Sequence, residues 1–591
     1  MSRESDSPLL LWSGDGGVEI QRNLPVNAIS KVACLSDDVL AMIFQEYIHM
    51  GNSPDMLQHP RRWLNIMHVC HDWRVVVLHL AVLWSNFTVG ELDVTREFLS
   101  RSKSAPLTIK VHPNAKLEPI REIFNSFARI RDIELGISRR DYLALESHFP
   151  EEAPILRRIV LQYQGPLGLR TGIPLQTYLD LSSRSFPGVF RRCSLPSLTN
   201  LFVEGYVPEW QHHIFASTLT SLTVHSIPKH RDGLRNMLGA LNKMKDLRLL
   251  DVSFDCHPLD LLTRRPHSAG QVSLPKLEHL ALRDSTESCI CLLEALIFPP
   301  TVTILVTVTE QRPASSLPLL SAATFNKLSV VGAPQIASVA LLAHPYWEPD
   351  DMTHLVFWDK VLDTKDIQTN PMKPLFHLQI VDMRDPVEVL KMGVSLGPLS
   401  DTQVLYIGAS IDFDDDPWEP IKASMPNVHT LHTLQLDLLA LEKLLKRGIL
   451  HKSKRTSQTR PFFPMLDTLV LERGDFNYSV DGCLEAGLSA RKLSGRPIRV
   501  LKLVDCSDLD EQKVDKLRGL VDEVIWDGKI RWSHVELMPS FDPPTYYTSE
   551  EEYLEHESDD HDSEFGHVDF VQDDSEDPEA IVFECGFGRL T

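Results

Sequence analysis

Apolar residues repeat with two different periods along this chain. Up to about residue 90 they return every three to four positions, and from about residue 105 they alternate in short runs. In the first zone Trp63, Met67, Cys70, Arg74 and Val77 fall at i, i+4, i+7, i+11 and i+14, with Ile66, Trp73 and Leu80 as a flanking row. That spacing predicts helix with one wide apolar face. Trp63, Trp73 and Trp84 are three of the chain's ten tryptophans. A side chain with so large a contact area and one N–H to satisfy suits a core or an interface. Upstream, LSDDVLAMIFQEYIH at 35–49 predicts a second helix, with Leu40, Ile43, Phe44 and Tyr47 on one face. Ser36 or Asp37 can cap it, and Asp37 and Asp38 suit its positive first turn. The intervening HMGNSPDMLQHPRR carries Gly, Asn and Pro and predicts a loop.

The second zone repeats a motif, L-x-x-L-x-L, followed by a turn and a stretch at helical spacing. Copies begin at Ile130, Leu156, Leu198, Leu219, Leu247, Leu277, Phe325, Met352, Leu375, Leu431, Leu466, Ile498 and Val521, with weaker ones at 301–308 and at Thr402. From Leu201 onward the second anchor recurs at 21 to 35 residues, overlapping the leucine-rich repeat at roughly 20–29. Several copies open on a proline lead such as LPSL, LPKL, MPNV or FPML. HRDGLRNMLGALNKM, ESCICLLEALIF, DPVEVLKMGVSL and DLLALEKLLKRGIL between them read as helices. One strand–helix unit cannot bury its apolar side alone; stacking units gives parallel strands on one side and helices on the other, with right-handed crossovers. The expected fold class is therefore α/β: a small all-helical head, an irregular leucine-rich-repeat solenoid, and an acidic tail. The alternative is a doubly wound α/β domain with large insertions. Expected divisions are a lead-in at 1–30, the head at 31–90, a connecting region of degenerate repeats at 91–190, the solenoid at 191–532 and the tail at 533–591.

The head also resembles a family. Val69-Cys70-His71-Asp72-Trp73-Arg74 and Leu83-Trp84, preceded by Leu35, Leu40, Ile43 and Phe44, are similar to an F-box, in the F-box-like form abundant in fungi. Ser36 stands where the family has proline, and Asp38 where it has glutamate. The resemblance implies docking onto the Skp-type adaptor, and through it a cullin, by Leu35, Leu40, Ile43, Val69, Cys70 and Trp73. The alternative is that these helices only pack on the domain that follows, although a three-helix piece this short has a small core of its own and usually needs a partner surface.

Charge and composition narrow the function. The net charge of −22 disfavours non-specific binding to nucleic acid or an anionic membrane. Fifteen carboxylates and no Lys or Arg lie between Glu550 and Glu579, and removing them leaves −7 for the remainder. That stretch predicts disorder. It reads as a solubilising tail, with Ser549 ahead of three glutamates similar to an acidophilic-kinase site. The apolar AIVFECGFGRLT at the end suits a sheet edge or a short peptide ligand. Nine scattered cysteines argue against a disulfide framework. The N-terminal apolar run is too short for a signal-peptide core, and no run of about 18 apolar residues appears. A soluble cytoplasmic or nuclear protein is expected.

No P-loop, dinucleotide fingerprint, H-E-x-x-H or G-x-S-x-G is present. Cys289 and Cys291 sit in an expected helix without zinc-knuckle spacing. Asp412 and Asp414–Asp416 lack the glycine and closing glutamate of a calcium loop. LEKLL at 441–445 reads as helix core. No catalytic residue, metal or cofactor is expected. The F-box resemblance implies a substrate receptor of a cullin-RING ubiquitin ligase; the alternative is an interaction scaffold without ubiquitination, and, less favoured, a hydrolase or transferase with a diffuse site.

Overall fold

The computed structural model describes residues 35–49, 62–163, 186–227, 233–254, 270–309, 316–343, 352–362, 373–381, 389, 393–394, 397–409, 421, 423–446, 462–477 and 482–531. They belong to one unit that ends at Ser533. The lead-in, the loop at 50–61, the aspartates at 412–416, most of DPVEVLKMGVSL and the acidic tail lie outside the described residues.

The head begins with helix α1 (Asp37–His49). The tryptophan-rich stretch is not one helix, as its period suggested. It is a 3-10 segment (Arg62–His68), helix α2 (His71–His79), a second 3-10 segment (Ala81–Trp84) and strand β1 (Asn86–Thr88). The break has a local cause. Cys70 is extended (φ −156°, ψ 173°), and its Sγ accepts the Trp73 N–H at 3.5 Å, so it caps α2 instead of continuing a helix. Arg74 Nε donates back to the Met67 carbonyl at 2.9 Å, occupying a carbonyl of the segment that has just ended.

Beyond the head, strands alternate with helices. The order is α3 (Leu92–Arg101), β2 (Leu107–Val111), α4 (Leu117–Phe124), β3 (Ile130–Leu135), α5 (Arg139–Leu145), β4 (Arg158–Gln162), β5 (Asn200–Glu204), β6 (Ser221–Ile227), α6 (Gly233–Leu241) and β7 (Leu249–Phe254). Then come β8 (Val272–Ser273), β9 (His279–Asp284), α7 (Thr286–Ala295), β10 (Leu296–Ile297), β11 (Thr303–Val308), α8 (Leu317–Leu328), β12 (Ser338–Ala343), β13 (Met352–Trp358) and β14 (Phe376–Val381). The last are β15 (Val404–Ala409), β16 (Thr430–Leu434), α9 (Leu438–Lys446), β17 (Thr468–Glu472), α10 (Cys483–Leu493), β18 (Val500–Val504), α11 (Glu511–Arg518) and β19 (Glu523–Trp526). The molecule is mixed α/β with one mostly parallel 17-stranded sheet. Strands β8 and β10 pair separately. Among the described residues no helix is long and apolar enough to cross a membrane.

Strands β1 to β7, β9 and β11 lie side by side in chain order and run parallel. The order then reverses. β14 pairs with β11, β13 lies antiparallel between β14 and β12, and β12 hands on to β15. From β15 to β19 the parallel order resumes. Neither β1 nor β19 pairs on its outer side among the described strands, so the sheet is open and forms no barrel.

One apolar ladder crosses the whole sheet in register. It runs Phe87, Ile109, Ile133, Ile159, Leu201, Leu222, Leu250, Leu280, Ile304, then Phe376, Phe357 and Val339 through the reversal, then Leu405, Leu431, Leu469, Leu501 and Val524. All but the terminal Val524 are buried, in one core with Ile120, Leu241, Leu293 and Leu441 of the helices. Each such side chain contributes roughly 1.5–3 kcal/mol on burial, so the repeated motif is the seam that holds strands to helices.

The sheet revises three sequence readings. Phe325-x-x-Leu328-x-Val330 is not a strand but the end of α8, which buries Leu317, Leu320, Thr324 and Leu328 at helical spacing, with Val331 exposed just past it. The strand of that unit is β12. The Met352 copy is a strand, but it runs antiparallel. In β16 it is Leu431, not Leu434, that aligns with Leu405 and Leu469, and in β14 Phe376 takes the place expected of Leu378. Runs of alternating apolar residues match themselves when slid, so the neighbouring strand fixes the register. In the stretch at 91–190, β2, β3 and β4 pair in parallel, with one register shift between Leu107 and Thr108 of β2, and the sheet already begins at β1 inside the expected head.

Candidate functional site

Helix α1 divides its apolar residues between two directions. Leu40 and Phe44 point inward and are buried at 4% and 1% exposure, while Met42, Ile43 and Tyr47 stand 61%, 45% and 40% exposed. The Phe44 ring meets the Trp73 ring edge-on at 5.0 Å, a favourable aromatic geometry. Trp73 is half-buried against the core, as is Leu35. Cys70 is partly accessible and engaged as the α2 cap. Val69, at the break that Cys70 creates, is 60% exposed. Val75 and Val82 add smaller exposed apolar surface.

The six residues that the family resemblance implicates thus fall into three groups. Ile43 and Val69 are surface. Leu35, Cys70 and Trp73 are partly accessible and hold the surface in shape. Leu40 is sealed and can only support it. Met42 and Tyr47 are exposed apolar residues absent from that set. Their signal in the sequence was that α1 carries more apolar residues than one inward stripe requires.

Trp63 and Trp84 have a different task. Their rings meet at 5.3 Å, Phe98 of α3 lies 5.1 Å from Trp84, and Phe87 of β1 lies 4.9 Å from Phe98. Trp84 Nε1 donates to the Val77 carbonyl at 2.8 Å, and Arg101 covers its ring at 4.7 Å. This aromatic knot satisfies the buried indole N–H and fixes the head to the first strand–helix unit.

The second surface is the sheet face that the helices leave uncovered. In its N-terminal stretch it is polar and half-exposed: Lys110 pairs with Glu134 at 3.7 Å, Gln162 donates to Glu204 at 3.3 Å, and His225 faces Asp251 at 3.1 Å. Toward the centre the same face becomes apolar. Ala340, Val356, Trp358, Leu362, Tyr406 and Leu434 form a second buried core. Beside them His432 Nε2 and Glu472 Oε2 lie 3.0 Å apart, both buried. His354 Nδ1 and His377 Nε2 lie 3.0 Å apart across β13 and β14. Burial and the neighbouring imidazole push the His377 pKa down to about 3, so the His377 ring is neutral near pH 7 and the 3.0 Å contact is one N–H donated from one ring to the other.

The motifs weighed for chemistry take structural places. Cys289 is buried in α7, which holds Cys291 as well. Leu441, Leu444 and Leu445 of the LEKLL string are buried in α9.

Set beside known proteins, the chain matches no protein-family model and no curated protein.

Proposed function

We propose that this protein is a non-catalytic receptor: the helical head docks onto a Skp-type adaptor of a cullin-RING ubiquitin ligase, and the repeat sheet holds a protein target. The observation that carries the reading is the exposed apolar set Met42, Ile43, Tyr47 and Val69 on a small helical head that an aromatic knot ties to a long sheet. Large apolar side chains left outward on a small head fit a docking surface better than a free one. The F-box resemblance in the same segment names the adaptor class. The mechanism is proximity: a target held on the sheet is brought to the charged ubiquitin carrier at high effective concentration.

Adaptor capture tests it. Ile43→Asp with Val69→Asp should reduce capture of a Skp-type adaptor at least tenfold, as for two anchors of about 1 kcal/mol or more each, with an unchanged circular dichroism spectrum because both side chains are already exposed. Equal capture by the double variant, or none by the wild type, sinks the reading. Trp73→Ala is a poorer probe: its contact with Phe44 is internal, and truncating a core tryptophan costs about 3–5 kcal/mol of stability. The scaffold alternative separates on cullin: a receptor co-purifies with it and its target accumulates when the protein is removed.

A further inference from the structure

The reversal of strand order leaves a cleft of about 500 Å³ at the rim where β12, β15 and β16 begin and antiparallel β13 ends. A volume of this size is on the scale of a ligand pocket, roughly 300–1,000 Å³. Its chemistry is one-sided. Asp359 and Asp401 supply two carboxylates, Gln335, Gln403 and Asn427 three carboxamides, His429 an imidazole and Val361 an exposed apolar wall; among the described residues no Lys or Arg lines it. Asn427 spends its Nδ2 on the Ser400 carbonyl at 2.8 Å, which leaves its Oδ1 as an acceptor.

The walls are built rather than loose. Buried Ser338 donates to the Lys360 carbonyl at 2.7 Å and accepts the Leu362 N–H at 3.1 Å, pinning the loop that carries Asp359 and Val361. Buried Thr402 donates to the Ile336 carbonyl at 3.3 Å, locking Asp401 and Gln403 against Gln335. Such pinning lowers the ordering cost of binding.

We propose that this cleft receives an arginine side chain of the protein target. Charge decides the sign of the ligand: two carboxylates face the cleft, and among the described lining residues there is no Lys or Arg and a single imidazole, His429. Shape decides its class: a guanidinium offers several donors in one plane to dispersed carboxylate and amide oxygens, and its methylenes can lie on Val361. This assignment rests on the target-receptor reading above and concerns the sheet, not the head.

The test uses the full-length chain and a fluorescein-labelled acetyl-Gly-Arg-Gly-Arg-Gly amide, read by fluorescence anisotropy at low salt beside its citrulline twin, which keeps the shape and loses the charge. The wild type should bind the arginine peptide at least about tenfold more tightly than the citrulline one, since hydrogen bonds between charged groups are the strong ones. Asp359→Asn with Asp401→Asn should remove that preference while leaving melting temperature and adaptor capture as in the wild type. Equal affinity for the two peptides, no binding of either, or an unchanged preference in the double variant overturns the proposal. So does millimolar calcium that abolishes binding in the wild type while itself raising the melting temperature, because the carboxylates would then be a cation site. Failure here with adaptor capture intact removes the arginine site alone; loss of adaptor capture by the head variant removes the receptor reading instead.

Discussion

The face of the sheet away from the helices is two surfaces in one. Over β2–β7 it carries Lys110, Glu134, Glu204, His225 and Asp251 in half-exposed pairs. Over β12–β17 it carries Trp358, Tyr406, Leu434 and a buried His432–Glu472 pair. Both stretches are built of paired strands with the same inward ladder, uniformly parallel in the first and interrupted by antiparallel β13 in the second. The difference teaches that the helix-side ladder sets the fold, while the opposite face is free to be a wet surface or a second core. A polar pair is cheap on the first and consequential on the second, because water can replace a lost partner in one place and burial leaves the remaining group unsatisfied in the other.

The sharpest way to break the contrast is to remove one partner from each stretch. Glu472→Ala leaves His432 buried without its carboxylate and should cost about 3–5 kcal/mol, read by urea unfolding. Trp358→Ala should fall in the same range through the cavity it leaves. If either costs under about 1 kcal/mol, the centre is not a second core.

Acid titration probes the centre next. The His377 pKa is depressed in the fold, so between about 3 and the ordinary 6.5 the unfolded chain binds more protons than the native one. Stability contributed by keeping His377 neutral is present above 6.5 and lost as pH falls toward 3. His377→Asn should therefore flatten the decline in stability between pH 7 and pH 4 by on the order of 2 kcal/mol. An identical pH profile in the variant refutes the assignment. At the small end, His225→Ala in the open stretch should change stability by about 1 kcal/mol or less. A loss as large as that of Glu472→Ala would erase the distinction between the two stretches.

The α/β class, the leucine and isoleucine anchors and the helices at α6, α7 and α9 could be read from the chain, because burial against a fixed partner imposes a period of 2 or 3.6 whatever the neighbours are. So could the role of Trp63, Trp73 and Trp84 as core or contact residues. The strand at β12 could not, since SVALLA offers no spaced anchors to distinguish it. Nor could the break at Cys70: a 3-10 turn followed by a short helix keeps nearly the same residue spacing as one long helix. In α1 the residue spacing puts four apolar positions on one face, but only packing separated sealed Leu40 and Phe44 from outward Ile43 and Tyr47.

What the sequence alone determined is which residues need burial and at what interval, because apolar side chains carry that demand wherever they sit. Strand direction, register and the reversal at β12–β14 were decided only in the tertiary structure. A parallel and an antiparallel strand bury the same alternation, and an alternating run satisfies its own pattern after a slide of two. The cleft between Asp359 and Asp401 exists for that reason: residues 42 positions apart share one rim because a single strand runs the other way.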